Sequence, residues 1–158
     1  MKRLGYVLAA IFGLVSVVGQ GPVAAQSGAS GVTGAAEAIF SGGAIFNGVT
    51  LSGLELGQGL FIAVDGSAKG QFHAVLLGTS LLGTPQNVTV DGEVSNGSVG
   101  GDGTATFRGT ATVNMGNGTL PVPGVPFAAT VLTNSLALIL DATTLPTATV
   151  TAGSITIE

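Results

Sequence analysis

The sequence predicts an all-β protein: an antiparallel meander that forms a single small barrel or sandwich of about eight strands. Polar and apolar residues alternate with a period of two over long stretches, most regularly from Thr104 to Met115. The alternating stretches are separated by Gly, Asn and Pro residues, which favour turns. Beyond the first 25 residues, no stretch shows the apolar period of an amphipathic helix.

Residues 1–25 are predicted to be a cleaved signal peptide that takes no part in the fold. Lys2-Arg3 form a positive n-region, residues 4–18 are apolar, and Val23-Ala24-Ala25 matches the small-x-small cleavage pattern. Gly21-Pro22 interrupts the apolar run, which is shorter than the ~20 residues a membrane span needs. The short n-region is typical of bacterial proteins. We therefore expect a bacterial protein that is secreted or periplasmic/extracellular, with no transmembrane segment in the mature chain.

The charge balance after the signal peptide limits the classes of partner. All eight acidic residues remain, but Lys69 and Arg108 are the only basic ones, so the formal net charge becomes −6. An acidic chain is a poor partner for nucleic acid and for anionic membrane surfaces. Charged residues make up only 8% of the sequence, and a weakly charged surface favours self-association. Because there is no cysteine, the fold must be held by its core and its hydrogen bonds.

The first part of the domain is predicted as follows. Residues 26–35 are small and polar and are expected to be a flexible leader, so that the single all-β domain covers 36–158. A first strand covers 36–40 and ends in a turn at 41–43. Two further strands are expected at 49–56 and 59–65. In the latter both faces are apolar, which predicts that the strand is covered on both sides.

The middle of the chain gives the most regular patterns. In the strand at 69–78, Phe72, Ala74 and Leu76 share one face. The stretches 86–95 and 104–115 alternate as well, with apolar residues at even numbers in the first and at odd numbers in the second. If these two strands form a hairpin in which Ser95 faces Thr104, the ring of Phe107 covers Gly92.

The last part of the chain contains three prolines within 121–126. Because each proline removes a backbone donor, this segment is predicted to be an edge segment or a crossing loop. Strands follow at 127–133, 136–141 and 147–157. In the last of these the apolar parity changes at Gly153, which predicts a β-bulge.

His73 is the only histidine, and it is the only candidate for acid–base chemistry. Asp65 is the carboxylate expected to approach it, and Ser67 is nearby in sequence. A hydrolase also needs an oriented base and an oxyanion hole, and nothing else in the sequence supports them. With one histidine, no cysteine and no carboxylate cluster, the sequence predicts neither a metal site nor a cofactor.

These observations predict a secreted, non-catalytic β-domain that acts as a binding or structural module of the cell envelope or extracellular space. One alternative is a small β-barrel that binds an apolar small-molecule ligand through Phe61, Val75 and Leu77, with His73 at the lip of the site. A second alternative is an isomerase or hydrolase that uses His73. The predicted partners are a second copy of the chain or a small apolar ligand, and nucleic acid is excluded by charge.

Overall fold

Nine antiparallel strands form one sheet that closes into a barrel in the computed structural model, which describes residues 28–158. Strands β1 to β6 each pair with the next, β6 pairs with β7, β7 pairs with β9, and β9 returns to β1. The strands are β1 (Ser30–Phe46), β2 (Val49–Ile62), β3 (Ser67–Thr79), β4 (Val88–Val99), β5 (Ala105–Asn114), β6 (Val122–Leu132), β7 (Ser135–Leu140), β8 (Thr143–Thr144) and β9 (Ala148–Ile157). The predicted fold class is confirmed.

The predicted signal peptide, residues 1–25, lies outside the described residues. Part of the predicted flexible leader, Ser30 to Ala35, lies inside the described residues and belongs to β1. All six residues pair with β2, and Val32 to Ala35 pair with β9 as well. For these residues the prediction is wrong, because their small side chains serve close packing. A Cβ at Gly34 would lie 2.9 Å from the carbonyl oxygen of Ser154, and the neighbouring Val32 is fully buried.

Two breaks predicted in the first half of the domain lie inside continuous strands. The turn expected at 41–43 is a bulge in β1, where Gly43 has a φ of +71°. The strands expected at 49–56 and 59–65 are the single strand β2, which ends at Ile62, so that residues 63–65 lie in the turn that follows. In this strand Leu60 and Ile62 face the core, but Phe61 is 69% exposed, so the prediction that both faces are covered is wrong. Isolated glycines in a strand mark bulges as often as turns.

The alternation of the central strand is confirmed, and it fills the barrel. In β5, Ala105, Phe107, Ala111 and Val113 are buried. The ring of Phe107 lies 5.8 Å from that of Phe72 and 6.5 Å from that of Phe127, measured between centroids. Aromatic pairs at these distances add attraction to their burial. The three rings form the centre of the core.

The predicted register of β4 and β5 is wrong. The hairpin turn is shorter than expected, because Asn96 to Val99 continue β4 and Val99 pairs with Ala105. Gly92 consequently faces Ala111, and a Cβ there would meet the ring of Phe127 at 2.7 Å. A phenyl ring does cover this glycine, but it belongs to a different strand. The bulge between Val94 and Asn96 then moves the pairing by one further residue.

The two predictions for the end of the chain are confirmed. Residues 122–125 pair with β5 only, because the pairing of β6 with β7 begins at Phe127, so Pro123 lies on an edge segment. Pro121 precedes β6, and the carbonyl of Pro126 accepts a hydrogen bond from the N–H of Asp141 at 2.8 Å. In β9 the register shifts between Val150 and Ala152, next to Gly153, whose φ is +80°. This bulge lets both Ala148 and Ile155 face the core.

Gln58 is a buried polar residue inside the barrel. It lies on β2 between Gly34 and Phe72 and is only 8% exposed. Among residues 28–158, neither Oε1 nor Nε2 of its side chain has a hydrogen-bond partner. A buried polar group without a partner loses the hydrogen bonds that it makes with water in the unfolded chain.

Replacing Gln58 by Met, which has a similar volume, is therefore expected to raise the free energy of unfolding by ~1–3 kcal/mol. Urea denaturation measures the change. The matched control is Gln71→Met on the exposed face of β3, for which a change within ~0.5 kcal/mol is expected. A loss of stability in Gln58→Met alone would show that the amide is satisfied by a buried water, and would contradict the prediction.

Candidate functional site

His73 faces outward from the wall of the barrel, because the even-numbered residues of β3 on either side of it, Phe72 and Ala74, face the core. Asp91 on β4 is its cross-strand neighbour. The distance from His73 Nδ1 to Asp91 Oδ1 is 2.6 Å, and the two side chains are 51% and 63% exposed. The carboxylate orients the imidazole, with Nδ1–H donating to Asp91 in that arrangement.

The groove around this pair is polar. It has a volume of about 410 Å³, and its side walls carry Gln71, Glu93, Thr110 and Thr112 on β3, β4 and β5. Among the described residues, the hydrogen bond to Asp91 is the only side-chain hydrogen bond that His73 makes. A His–Asp pair without a hydroxyl bonded to the imidazole is two thirds of a hydrolytic triad, and it lacks the nucleophile.

Asp65 is not the partner of His73, so that prediction is wrong. Asp65 lies in the β2–β3 turn, where its Oδ1 accepts hydrogen bonds from Oγ of Ser67 at 2.6 Å and from the backbone N–H of Ser67 at 2.9 Å. The hydroxyl of Ser67, followed by its N–H, lowers the pKa of Asp65 below 3.8. A lowered pKa in the folded chain stabilises the fold above the unfolded pKa, and the gain is lost as the pH falls through the folded pKa. Because Asp65 is at the surface, solvent screening keeps this effect small.

The four residues predicted to bind a ligand all lie on the outer faces of β2 and β3, and they do not form one site. Phe61 is opposite Lys69 near one end of the barrel, whereas Leu77 is opposite Gly53 near the other. Val75 and Leu77 are partly exposed, and neither of them nor Phe61 lines the groove of His73. At these levels the barrel interior is filled by core side chains, among them Leu60, Phe72 and Leu76.

A second concavity, which we name the mouth pocket, opens at one end of the barrel and has a volume of about 390 Å³. Phe46 and Val113 form its buried floor. Its walls are apolar and come mainly from the residues around the start of β6, and its rim is polar. The wall residues are Met115, Val122, Pro123, Val125 and Pro126, and the rim residues are Asn47, Asp141 and Thr143.

The geometry of β6 makes room for the mouth pocket. Between Ala111 and Val113 of β5, β6 contains one extra residue, and Gly124 has a φ of +73°. A bulge of this kind bends the strand and re-aims its side chains. Sequence reasoning missed the pocket because its residues come from four separate segments. The three prolines within 121–126 were the only local signal.

We name the end of the barrel at which the mouth pocket opens the leucine end. It is formed by four connections, residues 47–48, 80–87, 115–121 and 141–142. The first three follow from the up-and-down order of the strands, and the fourth joins β7 to β8, after which the chain returns along β7 to β9. Leu81, Leu82 and Leu120 project from it and are about nine-tenths exposed. In the sequence, these leucines stand among turn-forming residues, a signal that could have identified them.

Comparisons of the chain with protein-family models, with curated proteins and with solved structures give no match. Residues 28–158 contain no group of three or more His, Asp or Glu side chains placed to hold a metal ion. Within that same range, no helix is long and apolar enough to cross a membrane.

Proposed function

We propose that this protein is a non-catalytic binding module of the cell envelope or extracellular space that holds an apolar small molecule in the mouth pocket. One observation supports this most strongly: the interior of the barrel is filled by core side chains, whereas the mouth pocket is concave and apolar. Its volume of about 390 Å³ lies within the range of small-molecule sites, which often occupy the mouths of β-barrels.

The lining of the mouth pocket favours a particular class of ligand. Val122 and Val125 offer aliphatic contacts, and Met115 adapts its shape to irregular apolar groups. Asp141 is the only charged residue at the rim, so a neutral or cationic polar end is favoured there over an anionic one. The signal-peptide pattern of residues 1–25 supports export of the protein.

An isomerase or hydrolase that uses His73 is the second candidate, and the 2.6 Å contact with Asp91 is the observation that favours it. Two features weigh against it. Both side chains are more than half exposed, so water screens the charge interactions on which such catalysis depends. In addition, no hydroxyl in the described part of the chain is hydrogen-bonded to the imidazole.

Fluorescence titration with the neutral apolar probe N-phenyl-1-naphthylamine tests the proposal. Val122 is 55% exposed, so Val122→Asp is compatible with folding but places a charge in the pocket wall. This variant is expected to weaken probe binding about tenfold or more. His73→Gln and Leu81→Ser/Leu82→Ser are the controls and are expected to bind as the natural chain does. Unchanged binding by Val122→Asp would contradict the proposal, and loss in His73→Gln would place the site in the groove of His73.

A further inference from the structure

The leucine end presents aliphatic side chains on two separate loops. Leu81 and Leu82 form the apex of the β3–β4 loop and are 88% and 91% exposed, and Leu120 in the β5–β6 loop is 88% exposed. The loops are fixed relative to each other, because Nε2 of Gln86 donates a hydrogen bond of 2.9 Å to the carbonyl oxygen of Met115. The three leucines therefore project from the same end of a rigid scaffold.

Four backbone N–H groups at the apex of the β3–β4 loop, those of Ser80, Leu82, Gly83 and Thr84, donate hydrogen bonds within the loop. Ser80 N–H donates to the carbonyl of Thr84, and Gly83 N–H donates to the carbonyl of Ser80, both at 2.9 Å. Oγ of Ser80 accepts from the N–H groups of Leu82 and Thr84 at 3.3 Å. Because these N–H groups are already paired, they lose no hydrogen bonds to water when the loop enters an apolar medium.

The β5–β6 loop has the same property before Leu120. Oδ1 of Asn117 accepts hydrogen bonds from N–H of Thr119 at 3.1 Å and from its Oγ1 at 2.7 Å. Both leucine loops thus present aliphatic side chains at the tip, with hydroxyl and amide groups directly behind them.

The leucine end of the barrel carries almost no charged residues. Residues 47–48, 80–87 and 115–121 contain no Asp, Glu, Lys or Arg, and the fourth connection contributes only Asp141. The other charged side chains of the described chain lie on the wall or toward the opposite end, for example Glu93 on β4 and Asp102 in the β4–β5 turn. The leucine end can therefore approach a low-dielectric surface without desolvating a cluster of charges.

We propose that the leucine end docks on a lipid bilayer with zwitterionic headgroups, with Leu81, Leu82 and Leu120 entering the boundary between headgroups and acyl chains. Such a surface accepts isolated aliphatic tips and needs no basic residues, which this end does not have. A protein partner fits less well, because protein hot spots are rich in Trp, Tyr and Arg, whereas Leu is under-represented there. The proposal goes beyond the mouth pocket and does not depend on it, although docking would place the opening of that pocket at the membrane surface.

The chain contains no tryptophan, so the fluorescence of a single introduced Trp reports only the surroundings of that position. Contact of another part of the chain with lipid does not change this signal. The experiment uses the full chain with Leu82→Trp and vesicles of phosphatidylcholine. We expect the emission maximum to move to shorter wavelength on addition of vesicles, and brominated acyl chains to quench the emission. The matched control is Val64→Trp, which replaces an 86% exposed aliphatic residue in the β2–β3 turn at the opposite end, and neither effect is expected there.

Adding Leu81→Ser and Leu120→Ser to Leu82→Trp is expected to reduce partitioning into vesicles about tenfold or more for each leucine removed. Circular dichroism checks that this variant keeps the β-fold. Emission from Leu82→Trp that does not respond to vesicles would overturn the proposal. A shift that appears without vesicles and grows with protein concentration would also overturn it, and would show that a second copy covers this end.

Discussion

Replacement of Phe107 by alanine is expected to lower the free energy of unfolding by ~3–5 kcal/mol. Phe107 is fully buried on β5, and its ring packs against those of Phe72 and Phe127 inside the barrel. The neighbouring strands are tied into a closed sheet, so they cannot move inward to fill the space that the ring leaves. A loss of this size is a large share of the stability of a typical domain.

Urea or thermal denaturation of Phe107→Ala measures this loss. Phe61→Ala is the matched control, because it removes the same atoms from the outer wall, where the ring is 69% exposed. A change within ~0.5 kcal/mol is expected for the control. Equal losses for the two variants would show that the inner face of β5 is not the core.

Gly70→Ala is expected to cost roughly 2–5 kcal/mol, from a strained backbone and an overpacked contact together. Gly70 lies at the bulge where β3 pairs with both β2 and β4, and its φ is +147°. A Cβ there would lie 2.3 Å from the carbonyl oxygen of Gly59 and 2.4 Å from Cα of Leu60. Because these are backbone atoms of a paired strand, they cannot move aside without breaking the ladder.

Gly59→Ala is the control for this variant, because it adds the same methyl group to the facing strand. A Cβ at Gly59 would meet no atom within 4 Å. Denaturation midpoints of the two variants, measured side by side, are expected to differ clearly, with Gly59→Ala within ~0.5 kcal/mol of the natural chain. If Gly70→Ala is as stable as Gly59→Ala, the bulge in β3 is not formed as described.

The faces of the strands could be predicted from the sequence wherever polar and apolar residues alternate cleanly. In β3 and β5 the hydroxyl and charged residues occupy one parity, and the pleat of a strand then decides which face is buried. The bulges could not be placed, apart from that near Gly153. Residues 41–43 contain glycines that suit a turn or a bulge equally well, whereas Gly57 and Gly59 lie in regular pairing, and only pairing with a neighbouring strand distinguishes these cases.

The candidate sites were harder to predict, because they depend on register. The length of the β3–β4 loop sets the register that places Asp91 opposite His73. The sequence does not reveal which residues of that loop continue the strands. The mouth pocket joins Phe46 to Val122 and Asp141, residues that are far apart in the chain. Local sequence patterns carry no information about contacts between such distant residues. The burial of Gln58 inside the barrel could have been predicted, because it has the same strand parity as Leu56 and Leu60.

The measurement that tests the central claim most directly is a two-dimensional ¹H–¹⁵N NMR titration of the protein with N-phenyl-1-naphthylamine. If binding occurs in the mouth pocket, the largest shift changes will be confined to its lining, at Asn47, Met115, Val122 and Thr143. Changes centred on Phe72 and Phe107 would instead show that the ligand enters the barrel interior. Changes centred on His73 and Asp91 would move the site to the outer wall, and either result would contradict the account.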